Sequence, residues 1–125
     1  MIIAVTEAKP KNAAKERATI EYEIENYTLH PINLLNTDPG RGIAVFTHKS
    51  IEKSTAKINT DVTFEECCCL EIRLRGGDTM PFACCYRSPT PSATTNKNNE
   101  KLNQLLRLIA RKKYNHRCIV GDFNY

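Results

Sequence analysis

Two apolar segments joined by a glycine pair constrain this chain more than any other feature in it. In residues 67–74, Leu70, Ile72 and Leu74 share one parity while Glu71, Arg73 and Arg75 share the other. That alternation predicts a half-buried strand. Gly76-Gly77-Asp78 follows as a hairpin signal, although two glycines and an aspartate allow several loop lengths. Pro81-Phe82-Ala83-Cys84-Cys85-Tyr86 then returns as a near-continuous apolar strand, more buried than its partner. The pair must sit inside a layered domain.

The remaining segments supply the layers. Ile2-Ile3-Ala4-Val5-Thr6 predicts a buried strand that delivers Glu7 at its C-terminal end, before Pro10 and Asn12 break the path. Residues 18–36 alternate loosely, with Ile20, Tyr22 and Ile24 on one parity, and Tyr27-Thr28-Leu29 opens a further strand. A turn over 36–40 leads into a strand at Arg41 to Thr47, and a weaker strand lies near Ala56 to Asn59. Ser88 to Asn99 is polar and reads as a loop, with Asn98 or Asn99 capping a helix. In that helix Leu102, Leu105, Leu106, Ile109 and Ala110 form one apolar face. Arg111, Lys112 and Lys113 crowd its last turn, where cations suit the helix dipole. Cys118-Ile119-Val120 predicts a last buried strand, and Gly121 lets the backbone turn after it. The expected class is α/β (α+β), a single domain over residues 1–125 with mainly antiparallel pairing.

A formal charge of +4 is compatible with a polyanionic partner without establishing one. No run of about twenty apolar residues is present to span a bilayer, and the first residues, reaching Glu7 without a basic stretch, do not read as a signal peptide. An intracellular protein, nuclear or cytoplasmic, is expected. The six cysteines fall as Cys67-Cys68-Cys69, Cys84-Cys85 and Cys118. They form no C-x-x-C pair, so reduced thiols filling the core are expected rather than a disulfide framework or a zinc site.

Three apolar runs end in polar groups: Glu7, Tyr86-Arg87 and Asp122-x-Asn124. Strands presenting such groups at one sheet edge can converge on a site despite their separation in sequence. Glu7 offers a hard oxygen of the kind Mg²⁺ accepts. Tyr86 can hydrogen-bond a phosphate oxygen, and Arg87 can pair with a phosphate although strand alternation turns it opposite to Tyr86. Asp122 and Asn124 suit holding a water beside a phosphate if the extended path continues, while D-x-N after a strand also describes an ordinary turn. Lys9 and Lys11 lie on a basic stretch just past a strand end, where a phosphate backbone can be gripped or where a solvated loop simply carries charge.

Taken in order, Val5-Thr6-Glu7, Arg41-Gly42-Ile43-Ala44-Val45, Tyr86-Arg87-Ser88-Pro89 and Gly121-Asp122-Phe123-Asn124 resemble the endonuclease/exonuclease/phosphatase superfamily. The nearest resemblance is to the endonuclease domains of non-LTR (LINE-type) retrotransposons, which precede a reverse transcriptase. Phe64-Glu65-Glu66, the Asn-rich stretch and the amphipathic helix fit that subgroup as well. The resemblance implies a four-layer fold of two sheets between helices, of which this chain would be a part, and Mg²⁺-dependent hydrolysis of a DNA phosphodiester, with Mn²⁺ as a substitute. It assigns Glu7 to the metal, Tyr86 to the scissile phosphate, Asp122 to orienting or deprotonating the attacking water, and Asn124 to positioning it. No family motif fixes roles for Arg87, Lys9 or Lys11.

The family pattern also contains an earlier strand carrying an Asn and a later Asp-His pair, neither of which this sequence supplies. His30, His48 and His116 all precede Asp122 and are read as surface or loop residues. The resemblance thus implies a domain clipped at its N-terminus and truncated at its C-terminus, with activity reduced by orders of magnitude. Two other readings stand beside the nuclease: an inactive remnant that only binds nucleic acid or a protein, and a phosphatase of the same superfamily.

Overall fold

A computed structural model describes residues 1–9, 22–35, 40–58, 64–89, 93–111 and 113–124. Its elements are β1 (Ile2–Thr6), β2 (Tyr27–Ile32), β3 (Ile43–His48), a 3-10 helix at Lys49–Ser54, β4 (Thr55–Lys57), β5 (Cys67–Arg73), β6 (Thr79–Tyr86), α1 (Ala93–Arg111) and β7 (Cys118–Asp122). They form an α+β sandwich. One sheet has the order β1-β3-β2 and the other β4-β5-β6-β7. Pairing is antiparallel except between β6 and β7, which run parallel with α1 as the crossover.

Alternation sorts the side chains of the second sheet between two cores. Cys68, Leu70 and Ile72 of β5 and Phe82, Cys84 and Tyr86 of β6 pack on Ile43 and Val45 of β3. The opposite parity of β6, Ala83 and Cys85, packs with Phe64 on Leu102, Leu105 and Ile109 of α1. The described residues therefore stack as sheet, sheet, helix. A third cluster, Leu34, Ala44 and Phe46, lies on the outer face of the first sheet. Strand β6 is buried on both faces, as its unbroken apolar sequence requires.

Pro81 sits inside that central strand, a position its missing N–H usually forbids. The ladder explains it. The register pairs Glu71 with Pro81, and Leu74 donates its N–H to Asp78, so alternation leaves Pro81 outside the hydrogen-bonded pairs toward β5. On its other side β7 begins only opposite Phe82. No donor is demanded of residue 81.

Three expectations need correction. The helix begins at Ala93 rather than after Asn99; propagation from the packed half adds a hydrogen bond per residue and outweighs the small propensity cost of Thr and Asn. Strands β1 and β7 are not buried: Val5, Ile119 and Val120 are exposed. Each is the edge strand of its sheet, and a short apolar run cannot by itself tell one covered face from two. His30 lies within β2, half-buried, with Nε2 2.9 Å from Thr47 Oγ1, and burial, with Lys57 nearby, lowers its pKa.

Gly121 is held by close approach. Its φ is +147°, and a Cβ there would stand 1.8 Å from the carbonyl oxygen of Cys85. Gly121→Ala must part β7 from β6, and a loss of at least about 2 kcal/mol is expected in urea unfolding followed by circular dichroism.

Candidate active site at the strand ends

The end of β1 is extended by main-chain bonds. Ala8 N–H donates to Gly42 (3.2 Å) and Lys9 N–H to Arg41 (2.8 Å), which carries the β1–β3 ladder past Glu7. Glu7 itself adopts φ +52°, a left-handed conformation without glycine or asparagine to ease it. The turn brings its carboxylate over the second sheet. There the Tyr86 hydroxyl donates to Glu7 Oε1 at 2.7 Å, and Arg41 Nη2 stands 3.9 Å from Glu7 Oε2.

Asp122 joins this group through register. It is the partner of Tyr86 in the parallel β6–β7 pair, and partners in a parallel ladder project to the same face. The Arg87 N–H donates to the Asp122 carbonyl at 2.9 Å, which closes the pairing. Glu7, Tyr86 and Asp122, far apart in sequence, thus stand at one end of the packed sheets.

The electrostatics differ across the group. Tyr86 is 3% exposed; burial first, then the hydrogen bond to Glu7, pushes its phenol up to about 12. It is a donor at any physiological pH. Glu7 is open, 44% exposed against 29% for Arg41. Arg41 Nε is buried without a hydrogen-bond partner, so this cation stands beside the carboxylate with donor capacity in hand. Arg41 was not singled out from sequence as a site residue; in an antiparallel pair the first residues of one strand flank the last of the other, and that was the available signal.

The other expected residues are placed differently. Asn124 does not continue an extended path: it has φ +42°, its N–H donates to Asp122 Oδ1 (3.3 Å), and its Nδ2 donates to the Arg87 carbonyl (2.9 Å). The turn reading of D-x-N is realised here, with Asp122 serving both turn and strand end. Arg87 points away from Tyr86 as alternation demands. Its guanidinium donates to Asn99 Oδ1 (2.7 Å) and to the carbonyls of Phe123 (3.2 Å) and Asn124. It braces the segment after β7 against α1. Lys9 is 5% exposed and its ammonium donates to the Leu35 carbonyl at 2.9 Å, so it is a buried anchor, not a surface cation for a phosphate backbone. Lys11 lies outside the described residues.

A single exposed carboxylate fits Mg²⁺, which retains several waters and often takes one or two protein carboxylates plus phosphate oxygens. Mn²⁺ uses the same oxygen donors. Among the described residues there is no group of three or more His, Cys, Asp or Glu side chains able to hold a metal alone. The three histidines stand elsewhere: His30 on Thr47, His48 capping the 3-10 helix, and His116 ahead of β7, at the opposite end of that strand from Asp122. A cavity of about 690 Å³ is lined by Glu23, Glu25, Leu29 and Lys49 along β2 and includes none of the strand-end residues. No helix is long and apolar enough to cross a membrane among the described residues. Comparison with protein-family models, curated proteins and solved structures gave no match.

Tyr114 matches Tyr86 in behaviour: its hydroxyl donates to Glu71 Oε2 at 2.6 Å, and burial with that bond pushes it up to about 12. The folded chain holds both phenolic protons above the ordinary tyrosine value of 10.0. Their contribution to stability is therefore complete below pH 10 and is lost as the pH rises toward 12. Tyrosinate absorbance of the native protein should show late-titrating phenols, and Tyr86→Phe or Tyr114→Phe should each remove one.

Proposed function

We propose that this chain carries the catalytic strand ends of a metal-assisted phosphodiesterase, a DNA-nicking endonuclease domain of the non-LTR retrotransposon type. The observation that carries the reading is the meeting of Glu7, Tyr86 and Asp122 at one end of the packed sheets. In a full-length parent a reverse-transcriptase domain would accompany it, in a nuclear or cytoplasmic setting.

Glu7 would hold Mg²⁺ or Mn²⁺ through its exposed carboxylate. When bound, the ion supplies a Lewis acid for the phosphate and its leaving oxygen. The chain's own groups do the rest. Tyr86 keeps its proton and adds no negative charge; its one O–H, held on Glu7 Oε1 at 2.7 Å, would turn to a phosphate oxygen once the carboxylate holds the ion. Asp122 accepts a hydrogen bond from the attacking water and aligns it, taking its proton as attack proceeds. Arg41 adds positive charge where negative charge develops. Asn124 and Arg87 act one step back, fixing the turn that ends in Asp122.

With Mg²⁺, supercoiled plasmid should become nicked. Asp122→Ala should abolish nicking, and Glu7→Gln should raise the Mg²⁺ concentration required. Tyr86→Phe should cost about tenfold, the worth of one hydrogen bond made to the reacting group. Salt-sensitive plasmid binding that survives Asp122→Ala, with no nicking by any variant, would instead mark a binding remnant. Phosphate release from a monoester with the plasmid intact would mark a phosphatase.

Arg87 separates bracing from DNA grip. As a brace, Arg87→Met should lower stability by about 1.5–3 kcal/mol in urea unfolding and leave the salt dependence of DNA binding unchanged. A direct phosphate contact would reduce that salt slope by about one.

A further inference from the structure

The α1-facing side of β5 and β6 carries a row of thiols for which phosphodiester chemistry has no use. Cys67 Sγ lies 3.3 Å from Cys69 Sγ and 3.2 Å from Cys85 Sγ. All three are free thiols, and all three belong to or pack on the core beneath the helix.

We propose that Cys67 and Cys85 are a redox-modification site, closed to a cross-strand disulfide by hydroperoxides that enter through Cys69.

The backbone selects the pair. Cys67 and Cys85 are register partners, and Tyr86 N–H donates to Glu66 O, which makes 66/86 a hydrogen-bonded pair and 67/85 a non-hydrogen-bonded one. At such pairs the Cα atoms approach to about 4.5 Å, inside the disulfide range of roughly 4.4–6.8 Å. Cys67 and Cys69 sit on one strand instead, about 6.6 Å apart along it, with parallel side chains whose Cβ separation exceeds the roughly 3.5–4.5 Å a disulfide needs. A 67–69 bridge is thus strained and a 67–85 bridge is not.

Accessibility orders the steps. Cys85 is 0% exposed, so an oxidant cannot reach it. Cys67 and Cys69 are both half-buried. Cys67 is the middle sulfur, engaged on both sides by Cys69 and Cys85, while Cys69 stands at the end of the row, where a hydrogen bond from Cys67 lowers its pKa against the opposing effect of burial. Its thiolate attacks the peroxide, forming an S–O bond and breaking the O–O bond; the sulfur is oxidised to a sulfenic acid and an alcohol (water, from hydrogen peroxide) leaves. The Cys67 sulfur displaces hydroxide from that sulfenic acid, which departs as water with the thiol proton. Cys85 then attacks the Cys67 sulfur, the strained 67–69 bond breaks, and Cys69 recovers its proton from Cys85. Two thiols and one hydroperoxide become one disulfide, one alcohol and one water.

The test is to treat the folded chain with hydrogen peroxide, block remaining thiols by alkylation, and map linked peptides by non-reducing digestion and mass spectrometry. The expected product is a Cys67–Cys85 link, 2 Da lighter and reversed by dithiothreitol. Cys69→Ser should slow its formation by hydrogen peroxide at least about tenfold while leaving its formation by diamide, a direct dithiol oxidant, intact. A final Cys67–Cys69 bridge, a link through Cys68 or Cys84, over-oxidation to sulfinic acid without a disulfide, or an unchanged rate in Cys69→Ser would each overturn the proposal. The mapping on the unaltered chain decides the pair even if a variant fails to fold.

Discussion

The structure depends on β6 being covered on both faces. One parity of this strand meets β3 of the other sheet and the opposite parity meets α1. Neither cover is independent of it: α1 is amphipathic and has its apolar stripe to bury, and the three-stranded sheet has Ile43 and Val45 to bury. Removing buried side chains from β6 would therefore loosen two interfaces at once. Pro81 is tolerated there only because neither neighbouring ladder needs its N–H, and Gly121 is required because β7 lies against the Cys85 backbone.

The candidate site follows from where that packing puts three strand ends. Glu7 is reached through a left-handed turn, a conformation that costs energy in a non-glycine residue. The bonds of Ala8 and Lys9 to Gly42 and Arg41, and the buried Lys9 ammonium on Leu35, hold the backbone just past it. Lys9 thus serves the site by fixing the carboxylate's backbone. The result is a carboxylate oriented by a phenol on one oxygen and faced by a guanidinium on the other.

Much of this was legible in the sequence because period and punctuation agree there. The 67–74 alternation, the glycine hairpin and the apolar return strand left little room for another reading, and the strand-end positions of Glu7, Tyr86 and Asp122 followed from their apolar runs. What was not legible depends on neighbours. Ile119 and Val120 look like core until β7 is known to be an edge strand. The polar first turns of α1 look like loop until a packed helix propagates into them. Asp122-x-Asn124 reads as an extended path or as a turn until Arg87 supplies a carbonyl for the Asn124 amide. Lys9 looks like a surface cation, and only the fold shows a carbonyl waiting for it.

Strand β6 also divides two chemistries that sequence alone would mix. Tyr86 and Cys85 are adjacent in the chain, yet alternation sends the phenol between the sheets and the thiol beneath the helix. The two faces therefore communicate through the strand's backbone and through Glu66, which precedes Cys67 and accepts from Tyr86 N–H. That backbone is constrained at this point on both sides: Glu66 accepts from Tyr86 N–H, and Gly121 lies against Cys85. A covalent link at Cys85 would consequently stiffen the strand one residue before Tyr86 without placing any atom in the cluster around Glu7. Any effect of thiol state on the strand-end site must appear as a change in how firmly Tyr86 is held, since the burial that keeps its proton and the bond that orients Glu7 both depend on that one strand position.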